Sequence, residues 1–274
     1  MKPFGNLLVP RLCLLLAACS SSPRPLRLGT TTTVEQSGVL ALVDSLWRGD
    51  SIRTIVAPSG QTLRTAAQGD LDVVITHAPA LEAKFLWPDH ALVRCPFVAS
   101  RFAVVGPARD PVRVATAPTA AEAFRRIAGG KAPFVSRADS SGTHIKELAI
   151  WTMAGIQPQG RPWYVESGVG QAQTLLIADE RSAYALADLP TFAKLNGVAL
   201  RILFTADTFL LNPYTLYVVR TRSPHPSGMA FANWAMDTWR NRILALRLPD
   251  GTPGFAARSG GCSAAGVDTS RQTR

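Results

Sequence analysis

The chain has 274 residues, 47% of them hydrophobic and 18% charged, a composition that indicates a folded protein with a sizeable core and excludes a disordered chain. Its formal net charge is +10 at pH 7. The arginines are scattered and no basic block interleaves with aromatic residues, so we expect no nucleic-acid partner. An anionic ligand or an anionic membrane surface would account for the charge equally well.

The N-terminus has the features of a secretion signal over residues 1–18. Lys2 and Arg11 provide the positive charge, and the apolar run that follows is shorter than the about 20 residues needed to span a bilayer. The sequence Leu-Ala-Ala-Cys that ends at Cys19 resembles the lipobox of bacterial lipoproteins. This resemblance implies a lipid anchor on Cys19, a location in the periplasm or at the cell surface, and a flexible tether over 19–25. An ordinary signal peptide with a chance cysteine is the alternative.

Two cysteines, Cys95 and Cys262, remain if Cys13 leaves with the signal and Cys19 is lipidated. A disulfide between them is compatible with a location outside the cytoplasm. Spacing alone does not show whether they are close enough, so both the paired and the free state stay open. No histidine pair has the spacing of a zinc site, and we expect no metal cation and no cofactor.

Strands and helices alternate in the first part of the chain. Because strand–helix–strand units place neighbouring strands parallel, this order predicts an α/β fold with helices on the faces of a sheet. The predicted elements are a strand over 26–29, a helix over 34–48, a strand over 51–58, a helix over 61–70 and a buried strand over 71–77.

The rest of the chain continues in the same manner. The predicted strands cover 101–107, 132–137, 163–167, 182–190, 198–204 and 212–220, and the predicted helices cover 119–130, 144–155, 172–180 and 227–244. Residues 249–274 are rich in Gly, Ser, Thr and Ala, which predicts a flexible tail.

Three strands end in small or hydroxylated residues directly before a helix, and a fourth turn is a further candidate. Open α/β sheets bind ligands at the carboxyl ends of strands, and helix N-termini there offer unpaired N–H groups. One such turn could be only a helix cap, since Ser and Thr are the usual N-caps. Several of them in one chain, with an arginine beside one, favour an anion site. The three turns are Thr30–Thr33, Ser140–Thr143 and Gly168–Gln171, and the candidate fourth is Ser59–Gly60.

Five segments, in this order, carry a family resemblance: "GTTTTVEQSGVL", "APSGQTLRTAAQGDLDVVITHAPALEAKF", "SRADSSGTHIKELAIW", "WYVESGVGQAQTLLIADERSAYALAD" and "LNPYTLYVV". Together they resemble the tungstate-binding substrate-binding proteins of bacterial ABC importers, the TupA family, from about Leu28 to Arg247. The resemblance implies the two-lobed periplasmic-binding-protein fold, with two crossover strands and the ligand in the cleft between the lobes. It implies a first lobe over 26–100 plus 211–248, and a second lobe over 101–210. It also implies a monomer that delivers its anion to an ABC permease and its ATPase.

The resemblance and the turn pattern together assign an oxyanion site. A tetrahedral dianion accepts hydrogen bonds and donates none, so hydroxyl and N–H groups suit it. Arg137 would add charge-assisted hydrogen bonds. The other expected ligand residues are Thr32, Thr33, Ser59, Gly60, Ser136, Ser141, Gly142, Thr143, Gly168, Val169 and Gly170. Thr33 stands where the family usually has serine, and Ser140 where an acidic residue is often seen, so tungstate and molybdate both remain candidates.

Phosphate is a rival anion, because residues 137–143 also resemble the Arg-x-Asp-x-Ser-Gly-Thr turn of phosphate-binding proteins. Phosphate carries a proton near neutral pH, and Asp139 could accept it. A deprotonated oxyanion would be repelled by an inward carboxylate. The tungstate interpretation therefore requires Asp139 to face Arg137 or a helix end.

Two other classes of function are considered. A hydrolase would need Ser136 or Ser141 with His144 and Asp139, but the chain lacks a G-x-S-x-G elbow, and neighbours on one turn seldom form a triad. We therefore expect no catalysis. A tethered oxyanion sensor without a transporter would use the same pocket.

Overall fold

A computed structural model describes residues 24–87 and 89–264. The predicted signal peptide, the predicted lipidation site Cys19 and most of the tether lie outside the described residues. The strands are β1 (Leu26–Thr30), β2 (Ile52–Val56), β3 (Val73–Thr76), β4 (Ala91–Gly106), β5 (Phe134–Ser136), β6 (Tyr164–Glu166), β7 (Ala185–Asp188), β8 (Arg201–Phe204), β9 (Leu211–Val219), β10 (Ala256–Ala257) and β11 (Ser263–Ala264).

The helices follow the expected alternation. They are α1 (Thr32–Gln36), α2 (Ala41–Leu46), α3 (Ser59–Ala67), α4 (Pro79–Phe85), α5 (Ala120–Gly129), α6 (Gly142–Ala154), α7 (Gln171–Glu180), α8 (Leu189–Phe192), α9 (Gly228–Trp234) and α10 (Arg240–Leu244). A π-helical turn, Ala235–Trp239, joins the last two. Within residues 24–87 and 89–264, no helix is long and apolar enough to cross a membrane.

Two lobes share one long strand. In the first lobe the strand order is β10-β4-β9-β3-β1-β2, with β1 parallel to both β2 and β3, as the alternation predicts. The strand β4 pairs with β9 as far as Arg101, and from Phe102 onward it pairs with β7. A 16-residue strand therefore passes from one lobe into the other, and β9 begins beside the same crossing point. This is the two-lobed α/β fold with crossover strands that the family resemblance implies.

Each lobe has its own aromatic core. In the first lobe Trp239 packs against Phe97 and Phe231, with ring centroids 5.2 and 6.1 Å apart. In the second lobe Trp151 packs against Phe124 at 4.4 Å, and Phe134 lies in the same cluster. Burial of such rings is a large favourable term in folding. Each lobe is therefore stabilised by its own core, and the cleft lies between the two.

The predicted helix over 34–48 is two helices, α1 and α2. Gly38 has a φ of +79°, in the left-handed region that ends many helices, and it follows the last residues of α1. The apolar spacing continues through this glycine, which is why periodicity alone merges the two.

The C-terminal segment differs from the predicted flexible tail. Within its described part, β10 and β11 both pair with β4, and Cys262 forms a disulfide with Cys95 in that strand. A composition rich in Gly and Ser favours a loose tail, but strand addition and a disulfide to a distant residue hold this one in place. Of the two states left open by the sequence, Cys95 and Cys262 are in the paired one, a disulfide.

Asp72 fixes the start of the first lobe. Its carboxylate accepts hydrogen bonds from the side chains of Arg24 at 2.7 Å and Arg27 at 3.0 Å, and from the Arg27 backbone N–H at 2.9 Å. Burial alone would raise the pKa of Asp72, but these hydrogen bonds outweigh it and hold the pKa well below the usual value. The first residues of the described chain are therefore tied to the sheet by ion pairs between two partly exposed arginines and the buried carboxylate of Asp72.

Candidate functional site

The predicted turns come from both sides of the cleft. Thr32 and Thr33 begin α1 directly after β1, and Ser59 begins α3 shortly after β2, so these residues belong to the first lobe. The second lobe contributes Ser136 and Arg137 at the end of β5, together with the residues that open α6 and α7. Parallel strands end at the same edge of a sheet, which is why segments distant in sequence meet here.

Arg137 is the bridge between the two lobes. Its side chain is only 1% exposed. Nη1 donates to Thr33 Oγ1 at 3.3 Å, and Nη2 donates to Thr32 Oγ1 at 3.1 Å. Because both threonine oxygens accept from the guanidinium, their hydroxyl protons remain available to another acceptor. Burial lowers the pKa of Arg137, with Asp139 opposing it, and a guanidinium remains charged under such conditions.

Asp139 faces Arg137 and the start of α6. Oδ2 accepts from Arg137 Nη2, and Oδ1 accepts from the Ser141 backbone N–H at 3.0 Å. Both carboxylate oxygens thus have donors within the protein. The residues on either side, Ala138 and Ser140, have φ values of +48° and +58°, a backbone conformation that costs free energy for residues other than glycine. The two hydrogen bonds hold the carboxylate toward Arg137 and the start of α6.

Several of the predicted residues hold buried polar atoms that have no hydrogen-bond partner among the described residues. They are Ser59 Oγ, Thr143 Oγ1 and Arg137 Nε. A buried polar group without a partner costs about 1–3 kcal/mol. Such groups on both lobes, at residues chosen from the sequence as ligands, suit an acceptor-rich ligand between them.

Ser141 and Ser136 have partners within the protein. Ser141 Oγ accepts from the His144 backbone N–H at 3.2 Å and so caps α6. Ser136 Oγ accepts from the Ala138 N–H at 3.2 Å. Nearby, Glu147 Oε1 accepts from Tyr164 at 2.7 Å and from Trp151 at 3.2 Å. Burial raises the pKa of Glu147 to about 7. In this structure Ser141 caps α6, and Ser136 stabilises the turn through its hydrogen bond with the Ala138 N–H.

In the glycine turn before α7, one backbone N–H already donates a hydrogen bond within the protein. The Gly168 N–H donates to the Arg137 carbonyl at 2.9 Å, and Gly168 has a φ of +68°, so this glycine shapes the turn. Gly170 is the N-cap of α7 and supplies no side chain for capping. Gln36, from the opposite lobe, provides the missing cap, because its Oε1 accepts from the Ala172 N–H at 3.2 Å. Val169 lies between the two glycines at the cleft.

The starts of α3 and α6 also approach the opposite lobe closely. A Cβ at Gly60 would lie 3.6 Å from the Ser140 carbonyl oxygen. A Cβ at Gly142 would lie 2.6 Å from the ring of His77, which belongs to the loop after β3. Both glycines therefore permit contact between the lobes.

His77 is the residue that sequence reasoning did not select. It is 2% exposed and stacks on Tyr214, with ring centroids 5.0 Å apart. Nδ1 lies 3.0 Å from Asn212 Oδ1, and Nε2 has no partner among the described residues. Burial lowers the pKa of His77 to about 4, although the hydrogen bond with Asn212 opposes the shift. A polar residue directly after a buried strand was the available signal, the same signal that marks the other turns.

The serines and the histidine of the hydrolase alternative do not form a serine–histidine pair within this turn. His144 Nδ1 accepts from the Ser140 backbone N–H at 3.1 Å. Ser141 Oγ contacts the backbone of His144 and not its ring.

Comparison with known proteins gives a consistent result. Residues 20–238 match the model of a family described as a PBP superfamily domain. A tungstate-binding protein TupA from Peptoclostridium acidaminophilum is 33% identical over 250 residues, which cover 83% of this chain and 87% of the relative.

Two solved structures are similar as well. A TupA tungstate-binding protein from Desulfovibrio alaskensis G20 has a TM-score of 0.70 at 28% identity, covering 86% of this chain and 100% of that one. A structure described as the tungstate ABC transporter from Geobacter sulfurreducens has a TM-score of 0.63 at 35% identity, covering 83% and 95%.

Proposed function

We infer that this chain, which belongs to the PBP superfamily as a TupA-type substrate-binding protein, captures tungstate in the cleft between its lobes. The observation that carries this proposal is the buried Arg137, which reaches from the second lobe to the Thr32 and Thr33 hydroxyls of the first. An oxyanion bound beside it would contact both lobes at once. Contacts that exist only when the lobes are together favour the closed form.

The donors around Arg137 match a tetrahedral dianion. The guanidinium provides Nε, the two threonines provide hydroxyl protons, and Ser59 and Thr143 provide further hydroxyls without partners. Backbone N–H groups at the starts of α6 and α7 add to these. Hydrogen bonds to a charged acceptor are strengthened when closure removes water.

The position of Asp139 favours tungstate over phosphate. Hydrogen phosphate needs an acceptor for its proton, and both oxygens of Asp139 are already bonded to Arg137 and to the start of α6. A fully deprotonated anion needs no such acceptor. Molybdate is nearly the same size as tungstate and is the second candidate ligand.

We also propose a cellular location and a transport partner for this chain. The chain is anchored by lipid on Cys19 in the periplasm or at the cell surface, and hands its anion to an ABC permease and its ATPase. The names of the relatives support the transporter, and the lipobox supports the anchor. Replacing Cys19 with Ser is expected to move the protein from the membrane fraction to the soluble fraction. A tethered sensor would bind the same anion, but its deletion would leave tungstate uptake unchanged.

Titration calorimetry of the purified chain tests the ligand. We expect tight binding of tungstate, comparable or weaker binding of molybdate, and weaker binding of phosphate than of tungstate. Arg137→Ala removes the charge-assisted hydrogen bond from Nε, about 1.5–3 kcal/mol, and should weaken binding by about 10- to 150-fold. Arg161→Ala removes the same charge from an exposed site and should leave the affinity unchanged. Unchanged tungstate affinity in Arg137→Ala would contradict the proposed site.

A further inference from the structure

His77 touches the proposed anion site from the first lobe. Measured from the Cβ position of an alanine at 142, its Cε1 and Nδ1 lie at 2.6 Å and its Nε2 at 3.1 Å. Gly142 is the first residue of α6 and stands between Ser141 and Thr143. The imidazole ring therefore lies against the helix start that the proposed function gives to the anion.

The hydrogen-bond network decides which nitrogen of His77 carries the proton. Asp188 accepts at Oδ1 from Ser100 at 2.6 Å and from Asn212 Nδ2 at 2.9 Å. At Oδ2 it accepts from the N–H and the hydroxyl of Thr191, so Asp188 has donors on both oxygens. The amide NH2 of Asn212 must then face Asp188, which turns its Oδ1 toward His77. A carbonyl oxygen only accepts, so His77 Nδ1 is the donor.

Nε2 is consequently a bare lone pair whenever His77 is neutral, and it has no partner among the described residues. A lone pair beside a dianion that offers no proton is repulsive. A protonated Nε2 would donate to the same anion and remove the repulsion. A bound dianion therefore favours His77 protonated at Nε2, and without the dianion His77 is neutral.

The charges around the His77 ring would not compensate the two negative charges of a bound dianion without a further cation. Arg137 is already paired with Asp139, so its positive charge is largely compensated before any anion binds. A dianion would therefore leave the site with an excess of negative charge. The charged and titratable groups of the packed elements are Arg137, Asp139 and His144 beside or within α6, Asp188 on β7, and Tyr214 on β9. Burial raises the pKa of Tyr214 well above its ordinary value, so this phenol stays neutral.

We propose that His77 is a second cationic ligand of the anion, and that each dianion bound takes up one proton from solvent at His77 Nε2. This rests on the proposed function, since it requires a dianion in the cleft. Free His77 is neutral at neutral pH because burial lowers its pKa to about 4. The bound dianion raises that pKa. Between the two values binding takes up a proton, so affinity rises as pH falls, by up to about tenfold per pH unit.

Calorimetry in buffers of different ionisation enthalpy counts the protons. With tungstate and the full chain, we expect uptake approaching about one proton per anion near pH 5.5, falling as pH rises. His77→Gln should bind at least about tenfold more weakly at that pH and take up none. His144→Gln removes a histidine from the same helix start and should keep the uptake.

Labelled histidine Cε1–H resonances in the unaltered chain provide a second measurement that does not depend on a variant folding. Tungstate should move the His77 resonance to the position of an imidazolium. Tungstate binding with no proton uptake from pH 5.5 to 7.5, or uptake retained in His77→Gln, would overturn the proposal and leave the proposed function standing. Binding of hydrogen phosphate without uptake would also overturn it, because Nε2 would then be accepting the proton of the anion. No heat with any oxyanion would instead refute the proposed function.

Discussion

Replacing Gly142 with alanine would press a methyl group against the ring of His77. The new Cβ would lie 2.6 Å from two ring atoms, well inside the closest approach of real carbon atoms. The ring has little freedom to move away. It is hydrogen-bonded to Asn212 at 3.0 Å and stacked on Tyr214 at 5.0 Å. The overlap must therefore be relieved by separating α6 from the loop that carries His77.

The magnitude follows from two opposing terms. Forcing a methyl group into a packed contact costs about 1–3 kcal/mol. Gly142 does not have a positive φ, so alanine suits its backbone and favours the helix by about 0.5–1 kcal/mol. The helix gain is the same in the open and closed forms, so it cancels in the closing equilibrium and a cost of about 1–3 kcal/mol remains. Because the contact joins the two lobes, this cost applies to the closed form, and the affinity for tungstate should fall by about 5- to 150-fold.

Calorimetric dissociation constants for tungstate, with thermal denaturation of the free protein, measure this effect. Gly129→Ala is the matched control, since Gly129 ends α5 and a Cβ there would meet no atom within 4 Å. It should bind tungstate as the original chain does. Unchanged affinity in Gly142→Ala would refute the reasoning. A lower melting temperature with unchanged affinity would mean that the contact stabilises the fold and not closure.

Three further predictions concern other parts of the molecule. Gln36→Ala removes the cap of α7 supplied from the opposite lobe, which is worth about 0.5–2 kcal/mol, and should weaken tungstate binding by about 2- to 30-fold in calorimetry. Cys262→Ser opens a covalent loop that spans 167 residues and should lower the free energy of unfolding by about 2–5 kcal/mol in urea titrations without reductant. The lowered pKa of Asp72 contributes stability above the ordinary aspartate pKa that is lost as pH falls through the folded-state value. Asp72→Asn should therefore destabilise the protein at pH 7 and reduce its sensitivity to acid in melting curves from pH 7 to pH 3.

Each of these predictions has its own control. Gln68→Ala changes the same residue type at the C-terminal end of α3 and should not alter tungstate affinity. Reductant should destabilise the original chain and leave Cys262→Ser unaffected, and equal sensitivity of the two would contradict the role of the disulfide. Asp70→Asn changes a nearby carboxylate, whereas the ion pairs of Arg24 and Arg27 are with Asp72. An acid response of Asp72→Asn identical to that of the original chain would contradict the ion-pair argument.

Local signals in the sequence were sufficient for much of the fold. Strand–helix alternation with glycine stops predicted the order of β1, β2 and β3 and their parallel arrangement, because each element is marked by its own periodicity. The threonine turn and Arg137 were identifiable because several donor-rich turns recur after predicted strands and because the flanking segments resemble the TupA family. The structure brings these two together through direct hydrogen bonds. Their role as anion ligands remains a prediction.

Other features depend on partners that no local pattern indicates. The first half of β4 was not predicted as a strand, and its 16-residue length is explained by pairing with β9 and β7. The C-terminal segment is ordered by pairing with the same strand and by the disulfide to Cys95, although its composition resembles a loose tail. Strand pairing is a long-range contact, and the composition of a segment does not indicate which edge of a sheet it can pair with.

The class of fold, the donor-rich turns and the arginine between them could be inferred from short segments of the chain. The direction of Asp139, the burial of His77 and the cap that Gln36 provides depend on tertiary contacts. Each of these depends on which atom of a distant segment lies within about 3 Å, as a hydrogen bond requires. That distance is set by the packing of two lobes and is not encoded in the spacing of residues along one of them.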